Sequence, residues 1–208
     1  DAANGKMLYY LSENFCYPKN FEHLLYVTQI LQACAIKYGV EHFRRNRGRC
    51  MGSLYWQMND NWPVASWSSI DYYGRWKALH YFAKNFYEPV AGSLMIEGER
   101  AEAWIQNETM QPVTVTVTLS LKTLRFETIH TRKEQVVVKP FSAQMILAES
   151  YQSLMTEYNQ EELVCEMTVS DENGRKHTMS EAFLPYKHIK LPDPKLKYEI
   201  IASDDKFV

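Results

Sequence analysis

Hydrophobic positions change their period near residue 89 of this 208-residue chain. Before that point Leu24, Val27, Leu31, Cys34, Ala35, Tyr38 and His42 recur at three- and four-residue steps, the apolar stripe of a helix. Asn20 stands where an N-cap belongs, and Gly48 marks a stop. Just before the stop lie Arg44, Arg45 and Arg47, with Arg49 beyond it. Cations at a helix C-terminus match its dipole, so this cluster reads as a solvated helix end in preference to a phosphate patch. Gly39 inside the stripe counts against one unbroken helix. Residues 51–57 then form a short apolar run, long enough for a buried strand. A polar loop occupies 58–75, and Trp76, Leu79, His80, Ala83 and Phe86 mark one face of a second helix that ends before Pro89. Helix, strand, loop, helix is an α/β rhythm, and in such folds functional loops follow the C-terminal ends of strands.

After residue 91 the period becomes two. Val113, Val115, Val117, Leu119 and Leu121 alternate with Thr114, Thr116, Thr118 and Ser120, one face buried and one wet. Similar runs fall at 101–106, 135–138, 144–148, 163–169 and 178–184, and Asn173-Gly174 is a hairpin turn. Short strands at this spacing predict a β-sandwich. The expected division is 1–90 α/β, 91–186 sandwich, and 187–208 a proline-bearing linker leading into the first strand of a further β domain.

Composition narrows the chemistry. Hydrophobic residues make up 46% of the chain, enough for a core, and the net charge of −2 gives no basic field for nucleic acid. No apolar run approaches the roughly 20 residues of a membrane span. Cys16, Cys34, Cys50 and Cys165 form no CxxC pair and read as mostly buried thiols. His23, His42, His130, His177 and His188 show no spacing that a metal needs, and neither metal nor cofactor is expected. The opening residues DAANGKMLYY lack an initiator Met and a basic leader, as expected of a chain cut from something longer.

Four of the five Trp lie in one stretch, SLYWQMNDNWPVASWSSIDYYGRWKALHY, among Asn, Asp and Ser. The C–H faces of a pyranose pack on indole, while its hydroxyls need amides and carboxylates, so this surface suits a sugar. Trp56 is the expected floor of the site. Asn59 and Asp60 are candidates for its hydroxyls or for loop capping, and Trp62 for the pocket mouth. Trp67 and Trp76 read as packing residues, Asp71 with Arg75 as a loop ion pair, and His80 as a hydrogen-bonded core histidine. Trp104 lies in an alternating strand and reads as core. Asn107-Glu108-Thr109 is a glycosylation sequon that also suits a plain turn.

The run LYWQMNDNWPVASWSSIDYYGRWKALHYFAKNFYEPV closely resembles the β-mannosidases of glycoside hydrolase family two, and SENFCYPKNFEHLLYVTQILQACAIKYGVEHFRRNRGRCMG resembles the same group. The second half resembles, more weakly, the immunoglobulin-like domain that follows the barrel there. The resemblance implies the last part of a (β/α)8 barrel over residues 1–90, with 51–57 as its eighth strand and Trp56 at that strand's outlet. An immunoglobulin-like β-sandwich would follow. It implies an exo-acting, retaining hydrolase of terminal β-D-mannose, using two Glu about 5–5.5 Å apart. The partner implied is a β-mannoside oligosaccharide or a glycoprotein-derived glycan, met in the periplasm or outside a bacterium, or in an animal lysosome.

The resemblance implies that both Glu of the family lie upstream of residue 1. Glu13, in Ser12-Glu13-Asn14-Phe15, lacks the Gly of the nucleophile setting; Glu22 and Glu41 read as solvated helix positions, and Glu88 precedes Pro89 at the junction. The alternative class is a non-catalytic carbohydrate-binding or structural spacer module. A barrel piece without its neighbours is expected to pack on the sandwich, to form an oligomer through its open faces, or to depart from barrel geometry. With half the chemistry elsewhere, an aryl β-mannoside incubated with this chain alone is expected to release no aglycone; measurable turnover would refute the assignment of both carboxylates to another segment.

Overall fold

The computed structural model describes residues 2–197, 199, 202–203 and 206–207. Three helices come first: α1 (Ala2–Asn14), α2 (Phe21–Arg45) and α3 (Ala78–Phe86). Asn20 caps α2 by accepting a hydrogen bond from the His23 amide at 2.8 Å. The helix runs through Gly39 without a break, because Ile36 and Val40 on either side pack against the α3 cluster and hold that turn. The chain turns out of the helix at Gly48, whose φ of 99° is left-handed backbone that glycine tolerates without strain. α1 carries no clear stripe; among its described side chains Leu11 is the one fully buried.

Seven strands follow in two sheets. Strands β1 (Val90–Glu97), β2 (Arg100–Asn107) and β5 (Ser142–Ser150) form one sheet, in the order β1-β2-β5. Strands β3 (Val113–Thr123), β4 (Thr128–Val138), β6 (Leu163–Asp171) and β7 (Lys176–Ala182) form the other, in the order β4-β3-β6-β7. All pairings are antiparallel. This is an immunoglobulin-like sandwich, and the sequence alternation locates most of its strands. β3 shows why: Val115, Val117, Leu119 and Leu121 are fully buried, while Thr114, Thr116 and Thr118 stay partly wet. On the outer face Thr168 and Thr178 pair across β6 and β7 with hydroxyls 3.0 Å apart. The β6–β7 turn is locked by Asp171, whose Oδ1 accepts from the Asn173 and Arg175 amides, with Gly174 at φ 78°. Inside, Gly92 lets the sheets approach: a Cβ there would stand 2.9 Å from the Met179 methyl and 3.0 Å from Val169.

Several expectations are corrected. Residues 51–57 form no strand; Leu54, Met51 and Trp56 face outward. A strand exists only against a neighbour, and none lies beside this run among the described residues. Three of the four arginines of the basic cluster are not solvated, and Arg49 alone is exposed. Arg44 donates to the carbonyls of Phe86 and Glu88, tying α2 to the end of α3, while Arg45 donates to Ser93 Oγ and Arg47 to the Phe141 carbonyl and Glu108, stapling α2 to the sandwich. Glu41 is buried, because α2 lies with that face against the β1 and β7 edges. Trp104 stands half-buried on the outer face of its sheet, its Nε1 donating to Glu102, because the core face of β2 is given to Ala101, Ala103 and Ile105. Of the four cysteines, all free thiols, only Cys165 is buried.

Beyond β7, Phe15 stacks on Tyr186 at 5.3 Å, and Lys187 donates to the Ser12 carbonyl, so the segment after the sandwich returns to the end of α1. The strand expected over 197–208 lies largely outside the described residues; within it, β8 (Ala202–Ser203) pairs with β9 (Lys206–Phe207). Among the described residues no helix is long and apolar enough to cross a membrane.

Leu119 sits at the centre of the core with no exposed surface. Leu119→Ala is expected to lower unfolding free energy by about 3 kcal/mol, read as a lower urea midpoint with unchanged slope.

Candidate functional site

The Trp-rich loop between α2 and α3 has no regular structure, yet it is held by side chains. Asp60 is its centre. Its Oδ1 accepts from Ser66 Oγ and its Oδ2 from Ser68 Oγ, each at 2.6 Å, and Lys77 Nζ stands 3.6 Å away. The hydroxyl bonds, with Lys77 beside them, hold the Asp60 carboxyl below the usual carboxylate range. Lys77 also donates to Ser68 Oγ at 2.9 Å and to the Ser66 carbonyl at 3.2 Å. A second knot lies beside it: buried Ser69 Oγ meets the Tyr55 hydroxyl at 2.9 Å, His80 Nδ1 at 3.0 Å and the Met58 carbonyl at 3.0 Å. Asp71 closes the far turn, accepting from the Tyr73 and Arg75 amides and pairing with Arg75 Nε at 2.6 Å, with Gly74 at φ 79°.

These knots leave the indoles outside. Trp56 is 75% exposed, Trp62 61% and Trp67 59%, so Trp67 is not a packing residue in this chain. The short polar side chains consume the interior of the loop, which gives the rings nothing apolar to rest on. Trp76 is also exposed, and leans with one side on His80 and Tyr81, with ring centres at 4.4 and 5.1 Å. The Trp56–Gln57 peptide is cis. Asn59 is exposed and bridges to Ile70 through its backbone, with its Nδ2 donating to the Asp60 carbonyl at 3.3 Å. Trp56, Asn59 and Trp62 therefore share one accessible loop, while both oxygens of Asp60 are already committed. The Asp60 knot left no periodic signal; the cue was Ser66 and Ser68 two apart, ahead of Lys77.

Glu13, Glu22 and Glu88 are exposed, and among the described residues no group of His, Cys, Asp and Glu could hold a metal. A cavity of about 390 Å³ lies where the end of α2 and the start of this loop meet the segment after α3, walled by Phe43, Arg44, Arg47, Met51, Tyr87 and Glu108. Its arginines are spent on backbone carbonyls and Glu108.

The fold joins an immunoglobulin-like module to a helical segment that carries this loop. Residues 99–188 match the Mannosidase Ig/CBM-like domain. The chain is 42% identical to the β-mannosidase of Bos taurus over 101 residues, covering 42% of this chain and 12% of that protein. It is 29% identical to β-mannosidase A of Neosartorya fischeri over 206 residues, covering 90% and 22%. It therefore spans less than a quarter of the length of these relatives. In architecture it matches the β-D-mannosidase of Dictyoglomus thermophilum with a TM-score of 0.81 at 24% identity, over 90% of this chain and 23% of that one. The exo-chitosanase of Amycolatopsis orientalis matches at 0.66 and 16%, over 83% and 21%.

Because the Asp60 carboxyl is held below its ordinary range, its contribution is present above the unfolded value and is lost as pH falls through the folded one. Limited proteolysis is expected to cut between residues 60 and 76 faster below pH 4 than at pH 7, and Asp60→Ala to bring that faster cutting to pH 7. Equal cutting of both proteins at pH 7 would remove Asp60 from the centre of the loop.

Proposed function

We propose that this chain is part of an exo-acting, retaining β-mannosidase of glycoside hydrolase family two, which removes terminal non-reducing β-D-mannose from oligosaccharides or glycoprotein-derived glycans. In this reading residues 1–90 are the closing portion of its (β/α)8 barrel, and the run at 51–57 becomes a strand when its neighbours are beside it. The sandwich at 91–186 is the domain that follows the barrel. Residues 187–208 lead onward. The nucleophile and the acid/base Glu are supplied from the segment ahead of residue 1.

The observation that carries this reading is the exposure of Trp56 and Trp62 on a loop whose polar side chains are otherwise satisfied. Rings left in water by a well-held loop suit a ligand with apolar faces. Trp56 floors the terminal mannose, Asn59 meets its hydroxyls, and Trp62 lines the approach. Asp60, expected by its chemistry among the hydroxyl binders, acts by shaping the loop that presents the other three. The β-mannosidase names of the relatives support the substrate class.

The test is kinetic, in the full-length protein that contains this chain. Trp56→Ala removes a stacking face worth about 2 kcal/mol, so kcat/KM on an aryl β-mannoside is expected to fall roughly 30-fold. A full-length protein that leaves aryl β-mannosides intact would overturn the substrate class. A Trp56→Ala enzyme with unchanged kcat/KM would overturn the site.

A further inference from the structure

The contact between α2 and the sandwich is made by charges. Lys37 on α2 bonds Glu181 at the end of β7, and Arg45 Nη1 donates to Ser93 Oγ of β1 at 3.1 Å. Ser93 also accepts from Gln106 Nε2 at 3.1 Å. Between the two cations, one helical turn from each, sits Glu41, 7% exposed. Its oxygens lie 3.8 Å from Lys37 Nζ and 3.7 Å from Arg45 Nη1. Both distances are too long for hydrogen bonds, so the carboxyl is buried beside two cations that are engaged elsewhere. Burial pushes Glu41 up to about 7, with Glu181 adding to the rise while Lys37, Arg45 and Arg44 oppose it.

We propose that this seam is a proton-operated latch: protonated Glu41 leaves Lys37 and Arg45 to grip the sandwich, and ionised Glu41 draws them back onto their own helix. The geometry supplies the competition. Lys37 has two acceptors within reach, one across the interface and one at i+4, and Arg45 has the same choice between Ser93 and Glu41. Other ionisable groups facing the seam are Arg44 and Tyr38 on α2, Glu102 of β2 beside Arg45, Glu108 beside Arg44, and Cys34 and Tyr186 near Lys37 and Glu181. Cys34 and Tyr186 are both pushed up by burial and stay neutral across this range, and the cations stay charged. Glu41 is therefore the group that changes state between mild acid and mild base. A carboxyl raised in the folded state stabilises it fully below its ordinary value, and that contribution is lost as pH rises toward 7. The latch is tight in acid and loose in base.

Hydrogen–deuterium exchange on the 208-residue chain, corrected for the intrinsic pH dependence of amides, reads the opening. Amides of residues 34–45, measured against those of β3, are expected to become about tenfold or more less protected between pH 5 and pH 8, at up to tenfold per unit of linked pH. Glu41→Gln should keep the pH 5 protection at pH 8. Glu181→Gln should be open at pH 5, as the unaltered chain is at pH 8. If Glu41→Gln fails to fold, Glu41→Met serves in its place. Protection in the unaltered chain that does not change with pH, or a Glu41 variant that responds as the unaltered chain does, would overturn the proposal.

Discussion

A helix of 25 residues rests on a β-sandwich through arginine, lysine and glutamate rather than through leucine and valine. Everything in the first half of the chain depends on that arrangement. The apolar cluster between α2 and α3 is small: Ala33, Val40, Leu79, Ala83 and Phe86 are its buried members. The sandwich core is nearly three times as rich in buried members. So the helices take their orientation from the junction. Arg44 caps the carbonyls at the end of α3, and Arg47 reaches across to the β4–β5 turn at Phe141. Polar junctions of this kind give direction without requiring a large buried area, and each guanidinium bond to a carbonyl is directional.

Much of the sandwich was legible, because half-buried antiparallel strands write their exposure into every second residue. Val115, Val117, Leu119 and Leu121 announce β3, and Asn173-Gly174 announces the turn between β6 and β7. β1 was less visible. It opens with Val90-Ala91-Gly92-Ser93, where a glycine serves the core and a buried serine serves the junction, so polarity no longer tracks exposure. α2 was legible as a helix, but its buried face was misread: Ala35, Tyr38 and His42 of the stripe are exposed, while Ala33, Val40 and Glu41 are buried. Arg45 and Glu41 look solvated in a helical projection, and only the tertiary partner reveals otherwise.

The candidate site was half legible. Trp56 and Trp62 among amides pointed to a surface for a partly apolar, partly polar ligand before any geometry was known. What could not be read was the division of labour. Asn59 and Asp60 are neighbours of similar chemistry, yet one faces water and the other is enclosed by two serines. That difference is set by where Ser66, Ser68 and Lys77 return to the loop, a condition that the spacing of those residues hints at but no periodicity records. The apolar run at 51–57 fails for a related reason: hydrophobicity marks burial, and a ladder also needs a partner in place.

The turn between β2 and β3 carries a consequence of its own. Asn107 is fully buried; its Nδ2 donates to the carbonyls of Gln111 and Val138, and its Oδ1 accepts from the amide and hydroxyl of Thr109. The residues that spell an acceptor for an N-linked sugar are thus the same ones that tie off this corner. An oligosaccharide attached to that nitrogen during secretion would have to remain outside the protein, and the corner would stay untied. Sugar transfer and closure of the sandwich are mutually exclusive fates for one amide, so in a glycosylating compartment the order of the two events would decide how much chain ever matures.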